Sequence, residues 1–584
     1  MQKGGSFLTE QVKLEDIFTP EDFTEEHVMI GDLTKDFVEK KVLPHIAEME
    51  DHNFTIVKSL MKEAGELGLL STDIPEDYGG LGLDKISTAI ISEKMAVAGG
   101  FSVTHSAHIG IGSLPIVLFG NKKQKEKYLP GLATGEKIAS YALTEPTAGS
   151  DAVSVKTIAS LNEEGTHYIL SGEKQWITNS GIADVFIVYA KIDGNLFTAF
   201  IVEKEYEGIT IGKEERKLGI KSSSTCTVRL NQVLVPVENV LGEVGKGHLI
   251  AFNILNIGRY KLGLGAVGAS KEALKKTISY TNNRQQFSTP ISKFPLTHEK
   301  LATMATSIYA AESAVYRTVG LLSHSMDSLG VDEEFQRMAK AINEYLVECS
   351  VNKVFASEVL DKVVDECVQL HGGNGFMEDF DIARMYRDSR INRIFEGTNE
   401  INRLLIPGSL LKKSLKGELP LLLLASNMEK EAFSFMPTEP EWKPLSQEKM
   451  LLSNAKKIFY ILLGMSAKKY QQTLEQQQEL MVNIANIISA IYHMDSCILR
   501  TEKARKMSSK DESLKMLYTE IFCQEAFQEV VAEATDTLSY MLQGDELRLA
   551  LSILKKYARY TPKSSILLKR EVAKEILLAS EYVV

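Results

Sequence analysis

The sequence predicts a mostly α-helical protein with one central antiparallel β domain. Apolar residues recur every three or four positions over residues 25–135, and this helical spacing returns after Gly247 and continues to residue 584. Between these regions lie short runs rich in β-branched and aromatic residues. The predicted units are 1–138 (helical), 139–246 (β), 247–404 (helical bundle) and 405–584 (helical extension).

The helical period of the first unit is clearest in one stretch. This stretch precedes Pro75 and the Gly79-Gly80 pair, which break the pattern. Five apolar residues there would share one face of a helix, because three- and four-residue spacings place side chains one above another. They are Ile56, Leu60, Met61, Ala64 and Leu67.

The β unit is predicted from four runs joined by turn sequences such as Asp193-Gly194-Asn195. No long helical pattern separates the runs, so we expect an antiparallel sandwich or barrel of about 100 residues. The runs are 167–170, 185–189, 197–202 and 225–230.

The extension differs from the rest of the chain in charge. It carries 24 Lys and Arg against 22 Asp and Glu, whereas the whole chain has a formal net charge of -11. We expect Pro407-Gly408 to form the linker into it and a long helix to begin near Leu445. An apolar stripe at helical spacing then runs beside several lysines, and it favours either a packed core or dimer interface, or a helix lying on an anionic membrane. The stripe is Leu451, Leu452, Ala455, Ile458, Phe459, Leu462 and Leu463.

Composition limits the class of protein. The 584 residues are 44% hydrophobic and 24% charged, which is typical of a folded globular chain rather than a disordered or fibrous one. The net charge of -11 leaves no overall basic field, so we expect no nucleic-acid partner.

The five cysteines are widely spaced and form no C-x-x-C pair. This spacing argues against a disulfide framework or a zinc site, and we expect no metal. The N-terminal residues lack the apolar core of a signal peptide and are acidic rather than basic. The longest apolar runs fall short of the roughly 20 residues that cross a bilayer, so we expect a cytoplasmic protein.

The common hydrolase and nucleotide signatures are missing from the sequence: there is no Walker A loop, H-E-x-x-H or G-x-S-x-G motif, and no βαβ alternation. Three other segments carry candidate chemistry. The first is 141–151 (YALTEPTAGSD), where backbone N–H groups and the hydroxyls of Thr144 and Ser150 suit a polar ring edge or a phosphate. An ordinary turn between domains fits the segment equally well.

The second segment is 172–179 (GEKQWITN). Trp176 is one of two tryptophans in the chain, and Thr178 shares its strand face because side chains repeat every two residues. A large flat ring beside a hydroxyl suits a planar heteroaromatic cofactor, although a core tryptophan would give the same pattern.

The third segment runs from 369–376 (QLHGGNGF) to 393–400 (RIFEGTNE). Its glycines permit close approach of the backbone to a ligand, although helix C-caps also use glycine. Glu396 stands between apolar Ile394-Phe395 and Gly397, where partial burial would raise its pKa and suit it to proton transfer near neutral pH. The alternative is a surface glutamate at a helix end.

In this order and spacing, the three segments resemble the acyl-CoA dehydrogenase family from about Glu25 to about Leu405. The resemblance implies an N-terminal helical domain, a middle β domain and a four-helix bundle, which is the order predicted above. It also implies FAD as the cofactor. Most of the FAD contacts would come from Tyr141, Leu143, Thr144, Trp176, Ile177, Thr178, Gln369, Gly373, Thr398 and Glu400.

Two further FAD contacts, Arg284 and Phe287, would be made across a subunit interface. Ser288 departs from the glycine that many family members have after the position of Phe287, which leaves the geometry of that loop open. The residues implied on the substrate side are Ser150, Asn256, Arg259 and Gly397.

The implied reaction is α,β-dehydrogenation of an acyl-CoA thioester. Glu396 would remove the α-proton as general base while the β-hydrogen leaves as hydride to N5 of the flavin. Charge on the thioester oxygen would be met by fixed donors worth ~3 kcal/mol each. The electrons would pass to an electron-transfer flavoprotein.

The extension is similar to that of the very-long-chain branch of the family, which is dimeric and membrane-associated. This likeness implies a homodimer, long-chain substrates and a peripheral membrane contact through the extension, in a protein of the bacterial cytoplasm. Small residues at Gly110 and Gly112 would leave room for a long acyl chain. Two alternatives stay open: an acyl-CoA oxidase, and a non-catalytic assembly or scaffold protein on the same fold.

Overall fold

A computed structural model describes residues 2–329, 335–432, 434–437, 443–509 and 511–584. The first unit is helical, as predicted. Of the apolar face expected near residue 60, Leu60, Met61 and Ala64 are buried in α3 and Ile56 is half-buried, whereas Leu67 lies just past the end of the helix and is 41% exposed. The helices are α1 Glu25–Phe37, α2 Ile46–Glu50, α3 Phe54–Glu66, α4 Lys85–Met95, α5 Gly100–Ser106, α6 Leu114–Phe119 and α7 Lys122–Ala133, and the π-helical stretch Ala107–Ser113 joins α5 to α6.

The middle unit is a twisted sheet in the order β6-β7-β3-β2-β4-β5-β8, with β1 paired to β4. Its pairs are antiparallel, as predicted, except that β1 and β2 both run parallel to β4. No hairpin connects either strand to β4, so turn geometry does not impose antiparallel pairing there. The strands are β1 Ala139–Ala142, β2 Ile158–Leu161, β3 His167–Thr178, β4 Val185–Ile192, β5 Leu196–Glu203, β6 Ile209–Ile211, β7 Thr225–Pro236 and β8 Val240–Leu241.

Long helices form the third unit, and α11 packs along α8. Both helices contribute side chains to the region in which Glu396 lies. A short hairpin of β9 Gln285–Gln286 and β10 Thr289–Pro290 follows α8. The helices are α8 Gly247–Asn283, α9 Pro295–Asp327, α10 Phe335–Glu344, α11 Leu346–His371, α12 Asp381–Ser389 and α13 Asn399–Leu415.

The extension is helical, and its long helix begins at Ser446, next to the predicted start. The prediction of a linker at Pro407-Gly408 is wrong, because both residues lie inside α13. They are buried with Ile406 and Leu410 where α13 packs on α11 and α16, and this packing outweighs the ~3 kcal/mol that proline costs a helix interior. The helices are α14 Leu421–Glu431, α15 Ser446–Tyr470, α16 Gln478–Lys506, α17 Glu512–Met541, α18 Gly544–Tyr557 and α19 Ser565–Ala579.

The apolar stripe of α15 is buried along its whole length, and Phe459 and Leu462 are each only 1% exposed. The packing interpretation is therefore confirmed for these residues, and the stripe is not available to lie on a membrane. The same hydrophobic core continues from the extension into the bundle. The extension and the bundle thus share one core rather than being joined by a flexible tether.

Two stretches of the described chain, Gly100–Phe119 and Gln478–Lys506, are long and apolar enough to cross a membrane by length and composition alone, each with mean hydropathy 1.2. The expectation that no stretch reaches this length is therefore corrected. Both intersperse small and polar residues among apolar ones, so no long uninterrupted apolar run marks them. In each, 78% of the most apolar window is buried inside the protein.

Candidate active site

Glu396 lies in a strained turn directly before α13. Its φ angle is 56°, and that of Gly397 is 81°. The left-handed region costs a non-glycine residue of order 1–3 kcal/mol, so such a residue persists only where its surroundings hold it. Thr398 then caps the helix by accepting a hydrogen bond from the N–H of Ile401 at 3.2 Å.

Side chains from three helices hold this turn by its carbonyl groups. Arg259 Nε, on α8, donates to the carbonyl oxygen of Glu396 at 3.2 Å. Lys353 Nζ, on α11, donates to the carbonyl of Gly397 at 2.7 Å, and Asn402 Nδ2, on α13, donates to the same oxygen at 2.8 Å. All three side chains are buried. The backbone bearing Glu396 is therefore fixed from both sides.

The carboxyl group of Glu396 fits against a glycine of α8. A Cβ atom placed on Gly258 would lie 2.7 Å from Oε2 of Glu396, which is closer than real Cβ contacts allow. Oε2 is buried and has no hydrogen-bond partner among the described residues. The carboxyl is thus held in a confined place with one oxygen free to act on a bound molecule.

Burial raises the pKa of Glu396 to about 7, although Arg259 and Lys353 act to lower it. Burial lowers the pKa of Lys353 to about 7 against the opposing effect of Glu396. A carboxyl with a pKa near 7 is partly ionised at neutral pH, and its ionised form can take up a proton. The prediction that burial would raise the pKa of this residue is confirmed.

The structure brings the first two sequence segments together beside this carboxyl. Thr178 and Glu396 line the same cleft. The N–H of Gln175 donates to the carbonyl of Thr144 at 2.9 Å, and Ser140 Oγ donates to the carbonyl of Thr178 at 2.5 Å. These bonds tie the loop that follows β1 to the end of β3.

A buried ion pair supports the same loop. Lys174 Nζ lies 2.8 Å from Oε1 of Glu145 and also donates to the carbonyl of Tyr189 at 2.6 Å. The ammonium is completely buried, so its hydrogen bonds compensate its desolvation only if all partners stay in place. This pair therefore fixes the loop that follows β1.

The predicted cofactor residues of this region divide by exposure. Tyr141 and Leu143 are buried, Thr144 and Thr178 are half-buried, and Ile177 is 2% exposed. Trp176 lies in a bulge of β3 with φ 58° and keeps 60% of its surface exposed. The indole of Trp176 therefore offers its ring face to a bound molecule.

The substrate-side residues also differ in placement. Arg259 Nη1 donates to Asn256 Oδ1 at 2.8 Å, and Nδ2 of Asn256 is buried without a partner among the described residues. Gly397 belongs to the turn itself. Ser150 is exposed, and Gly149 beside it has open space around it.

A second group lies at the far end of the bundle. Arg284 and Phe287 follow the last turn of α8, and Phe287 is 91% exposed. Gln369 and Gly373 stand at the end of α11, and both are exposed. At 1.5 Å per residue, Arg284 is ~39 Å along α8 from Gly258. The structure therefore does not bring this group to the cleft of Glu396 within one chain.

The two helix ends of this group are joined through Tyr280. Its hydroxyl donates to the carbonyl of His371 at 3.1 Å and accepts from Asn374 Nδ2 at 3.1 Å. Beyond it, Phe287 and Ser288 form the turn of the β9–β10 hairpin, with φ 54° and 58°. The loop after Phe287, whose geometry the sequence left open, is thus a tight two-residue hairpin turn with Ser288 in the left-handed region.

The remaining predicted residues of the third segment flank the turn. Thr398 is half-buried as the cap of α13, whereas Glu400 is exposed in its first turn. Sequence reasoning missed Gly258, Lys353 and Asn402. A lysine within the apolar face of α11 was a usable signal for Lys353, but only the folded structure shows that Gly258 faces a carboxyl.

Residues in and beside the cleft fit a flavin. Thr178 lines the cleft with a half-buried hydroxyl, and Trp176, two positions earlier on β3, offers an exposed indole as a stacking surface for a planar ring. Gly372 and Gly373 leave open space at the second group. Within the described chain, no cluster of three or more His, Cys, Asp or Glu is placed to hold a metal ion. All five cysteines are buried and free.

Comparison with known families agrees with this arrangement. Models of the acyl-CoA dehydrogenase N-terminal, middle and C-terminal domains match residues 24–136, 140–233 and 245–411. A further acyl-CoA dehydrogenase C-terminal domain model matches residues 454–556, within the extension.

Individual relatives give the same result. A probable acyl-CoA dehydrogenase of Bacillus subtilis is 57% identical over 587 residues, covering 100% of this chain and 99% of that protein. A solved acyl-CoA dehydrogenase from Bacillus anthracis, complexed with FAD, superposes with a TM-score of 0.98 at 58% identity over 100% of both chains. The rat mitochondrial very long-chain specific enzyme is 42% identical over 351 residues, covering 58% of this chain and 51% of that protein.

The fold and the cleft define a flavin-dependent oxidoreductase. The chain belongs to the acyl-CoA dehydrogenase family. Its cofactor is FAD, its substrates are acyl-CoA thioesters, and it belongs to fatty acid metabolism.

The contact between Gly258 and Glu396 generates a test with a matched control on the same helix. Gly258→Ala should displace the carboxyl and slow reduction of bound FAD by acyl-CoA about a hundredfold, the effect expected of a misplacement near 1 Å. Gly265→Ala should have little effect, because its Cβ would meet only Ala96 at 3.9 Å. Stopped-flow absorbance of FAD-loaded protein measures both rates. Equal rates for the two variants would contradict the geometry described here.

Proposed function

We propose that this protein is a long-chain acyl-CoA dehydrogenase in which Glu396 removes the α-proton of the substrate. The observation that supports this role is the carboxyl itself, buried in a cleft with Oε2 unpartnered among the described residues and a pKa raised by burial to about 7. A base with this pKa is partly ionised at neutral pH, and its ionised form is a stronger base than an ordinary carboxylate.

The chain's own residues prepare this step. Arg259, Lys353 and Asn402 hold the turn by its carbonyl groups, so the carboxyl stays in place when a proton arrives. Bound FAD supplies the acceptor for the hydride that leaves the β-carbon. We expect Thr178 and Trp176 to orient that ring from the β domain.

Substitution of the base tests the assignment. Glu396→Gln should retain FAD and its yellow colour, yet show no bleaching with acyl-CoA under anaerobic conditions, because the amide cannot accept the proton. In the unaltered protein, the reduction rate should rise with pH through about 7, where the carboxyl ionises. Full reduction of FAD in the Glu396→Gln variant at the rate of the unaltered protein would contradict the assignment of Glu396 as the base.

Electron transfer separates the proposed enzyme from its alternatives. We propose that electron-transfer flavoprotein reoxidises the reduced enzyme. An acyl-CoA oxidase would instead be reoxidised rapidly by oxygen, and a scaffold protein would not be bleached by any acyl-CoA. The cleft with its fixed glutamate favours the enzyme over the scaffold.

A homodimer is the proposed assembly. Arg284 lies ~39 Å along α8 from Gly258, which faces the Glu396 carboxyl, and Phe287, Gln369 and Gly373 lie at the same far end of the bundle. A second copy of the chain would bring this group to the cleft of its partner. The nearly full exposure of Phe287 supports such a covering contact. The proposed location is the bacterial cytoplasm, and the buried stripe of α15 offers no support for the membrane contact.

The shape of the cleft supports a long acyl chain. Along α8 it is lined by one face from Gly258 to Ala269, which is eleven residue steps or ~16 Å at 1.5 Å per residue. Small side chains line much of both walls. Gly110 is among them, whereas Gly112 packs against Ala139 and serves the helix–sheet contact instead. The residues of the α8 face are Gly258, Lys261, Leu262, Gly265 and Ala269.

Gly265→Leu should shorten the accepted chain, because its side chain would enter the cleft ~10 Å along α8 from Gly258. We expect reduction by palmitoyl-CoA to slow about tenfold or more, while butyryl-CoA stays within about twofold. Anaerobic bleaching by acyl-CoAs of graded length measures this preference, with Gly265→Ala as the control. An equal loss at every chain length would show that the residue serves packing and not chain length.

A further inference from the structure

A series of hydrogen-bonded side chains runs from the extension to the turn that carries Glu396. It begins at Asn486 on α16. The Oδ1 atom of Asn486 accepts from Arg403 Nε at 2.8 Å, and its Nδ2 atom donates to Glu533 Oε1, on α17, at 2.8 Å. Because one neighbour only donates and the other accepts, the orientation of the amide is determined.

Arg403 on α13 links Asn486 to Glu358 on α11. Its Nη1 and Nη2 atoms donate to Oε1 and Oε2 of Glu358 at 2.7 and 2.8 Å. Burial acts to raise the pKa of Glu358, but its interactions with Arg403, Asn399 and Lys362 together outweigh burial and lower the pKa, so the carboxylate is ionised. A two-point pair of this kind fixes direction as well as distance, and the third nitrogen of the guanidinium is the one held by Asn486.

The last links are buried. Oε1 of Glu358 also accepts from Asn399 Nδ2 at 3.0 Å, and Oδ1 of the same Asn399 accepts from Lys353 Nζ at 2.7 Å. Lys353 in turn donates to the carbonyl of Gly397, the residue after Glu396. Lys353 is 0% and Asn399 2% exposed, so neither finds a water molecule as an easy substitute partner.

We propose that Asn486 of the extension is a positioning residue for the catalytic base, acting on Glu396 through Arg403, Glu358, Asn399 and Lys353. The proposal rests on the proposed role of Glu396. The extension is then part of the catalytic unit, since it restrains the turn on which proton removal depends. Each link is charge-assisted or buried, and each residue of the series forms a hydrogen bond with the next one.

The effect should be graded rather than complete. Arg259 and Asn402 hold the turn from the bundle independently of this series. Loss of Asn486 leaves the fork between Arg403 and Glu358 intact but frees the guanidinium to tilt. We therefore expect a looser base rather than an unfolded site.

The chain contains a matched control one helical turn away. Asn483 is also on α16 and also bonds α17, through Asp536 at 3.0 Å and Thr537 at 3.2 Å, but no hydrogen bond joins it to Arg403 among the described residues. Asn486→Ala and Asn483→Ala therefore remove the same type of interhelical contact, and only the first interrupts the series.

The experiment measures flavin reduction by saturating palmitoyl-CoA in FAD-loaded, full-length protein across pH 5.5–9, a window of about two units around the Glu396 pKa. Asn486→Ala should slow reduction about three- to tenfold and shift its pH midpoint, with substrate affinity little changed. Asn483→Ala should do neither. The groups that face Glu396, namely Arg259, Lys353 and Tyr141, are unaltered in both variants.

A rescue keeps the test independent of stability. Asn486→Asp combined with Glu533→Gln reverses the donor and acceptor between these two residues while keeping the acceptor for Arg403, and it should restore the rate. Equal rates for Asn486→Ala and Asn483→Ala, or no recovery in the paired variant, would overturn the proposal. Glu396→Gln measured in parallel separates the two hypotheses: if it is reduced normally, the proposed base itself is wrong.

Discussion

The rest of the site depends on how the backbone turn at Glu396-Gly397 is held. Two successive left-handed residues place a carboxyl inside the protein, and the carbonyls of the turn would be costly to bury unpaired. Arg259, Lys353 and Asn402 supply the missing donors from three helices. The packing of α8, α11 and α13 thereby determines where the carboxyl group of Glu396 lies.

The same constraint explains features that would otherwise look unrelated. Gly258 is required because a side chain there would occupy the space of the carboxyl. The buried pair of Lys174 and Glu145 holds the loop that follows β1, next to the predicted ring-binding residues of β3. The extension shares the hydrophobic core of the bundle, so its helices act on the site as packed neighbours and not as a tethered addition.

Much of this was predictable from the sequence, and the failures have physical causes. The helical and strand periods of the sequence predict the order of the units. The apolar neighbours of Glu396 predict that its pKa is raised. Pro407 was misread as a linker because local propensity carries no information about the packing of α13 on α11 and α16. The parallel pairing of β1 and β2 with β4 has no local turn to signal it. Contacts such as that between Gly258 and Glu396, 138 positions apart, arise only when the helices are packed.

The most direct test of this account is the effect of Glu396 on stability as a function of pH. A folded-state pKa raised from 4.5 to about 7 means that the folded protein binds this proton more tightly than the unfolded chain. Stability from this group is therefore fully present below pH 4.5 and lost as pH rises through about 7. The Tm of FAD-loaded Glu396→Gln minus that of the unaltered protein should become steadily more positive between pH 5 and pH 8, a range set by the two pKa values. A difference that stays constant over this range would show that the carboxyl is not held in the buried state on which the proposed catalysis depends.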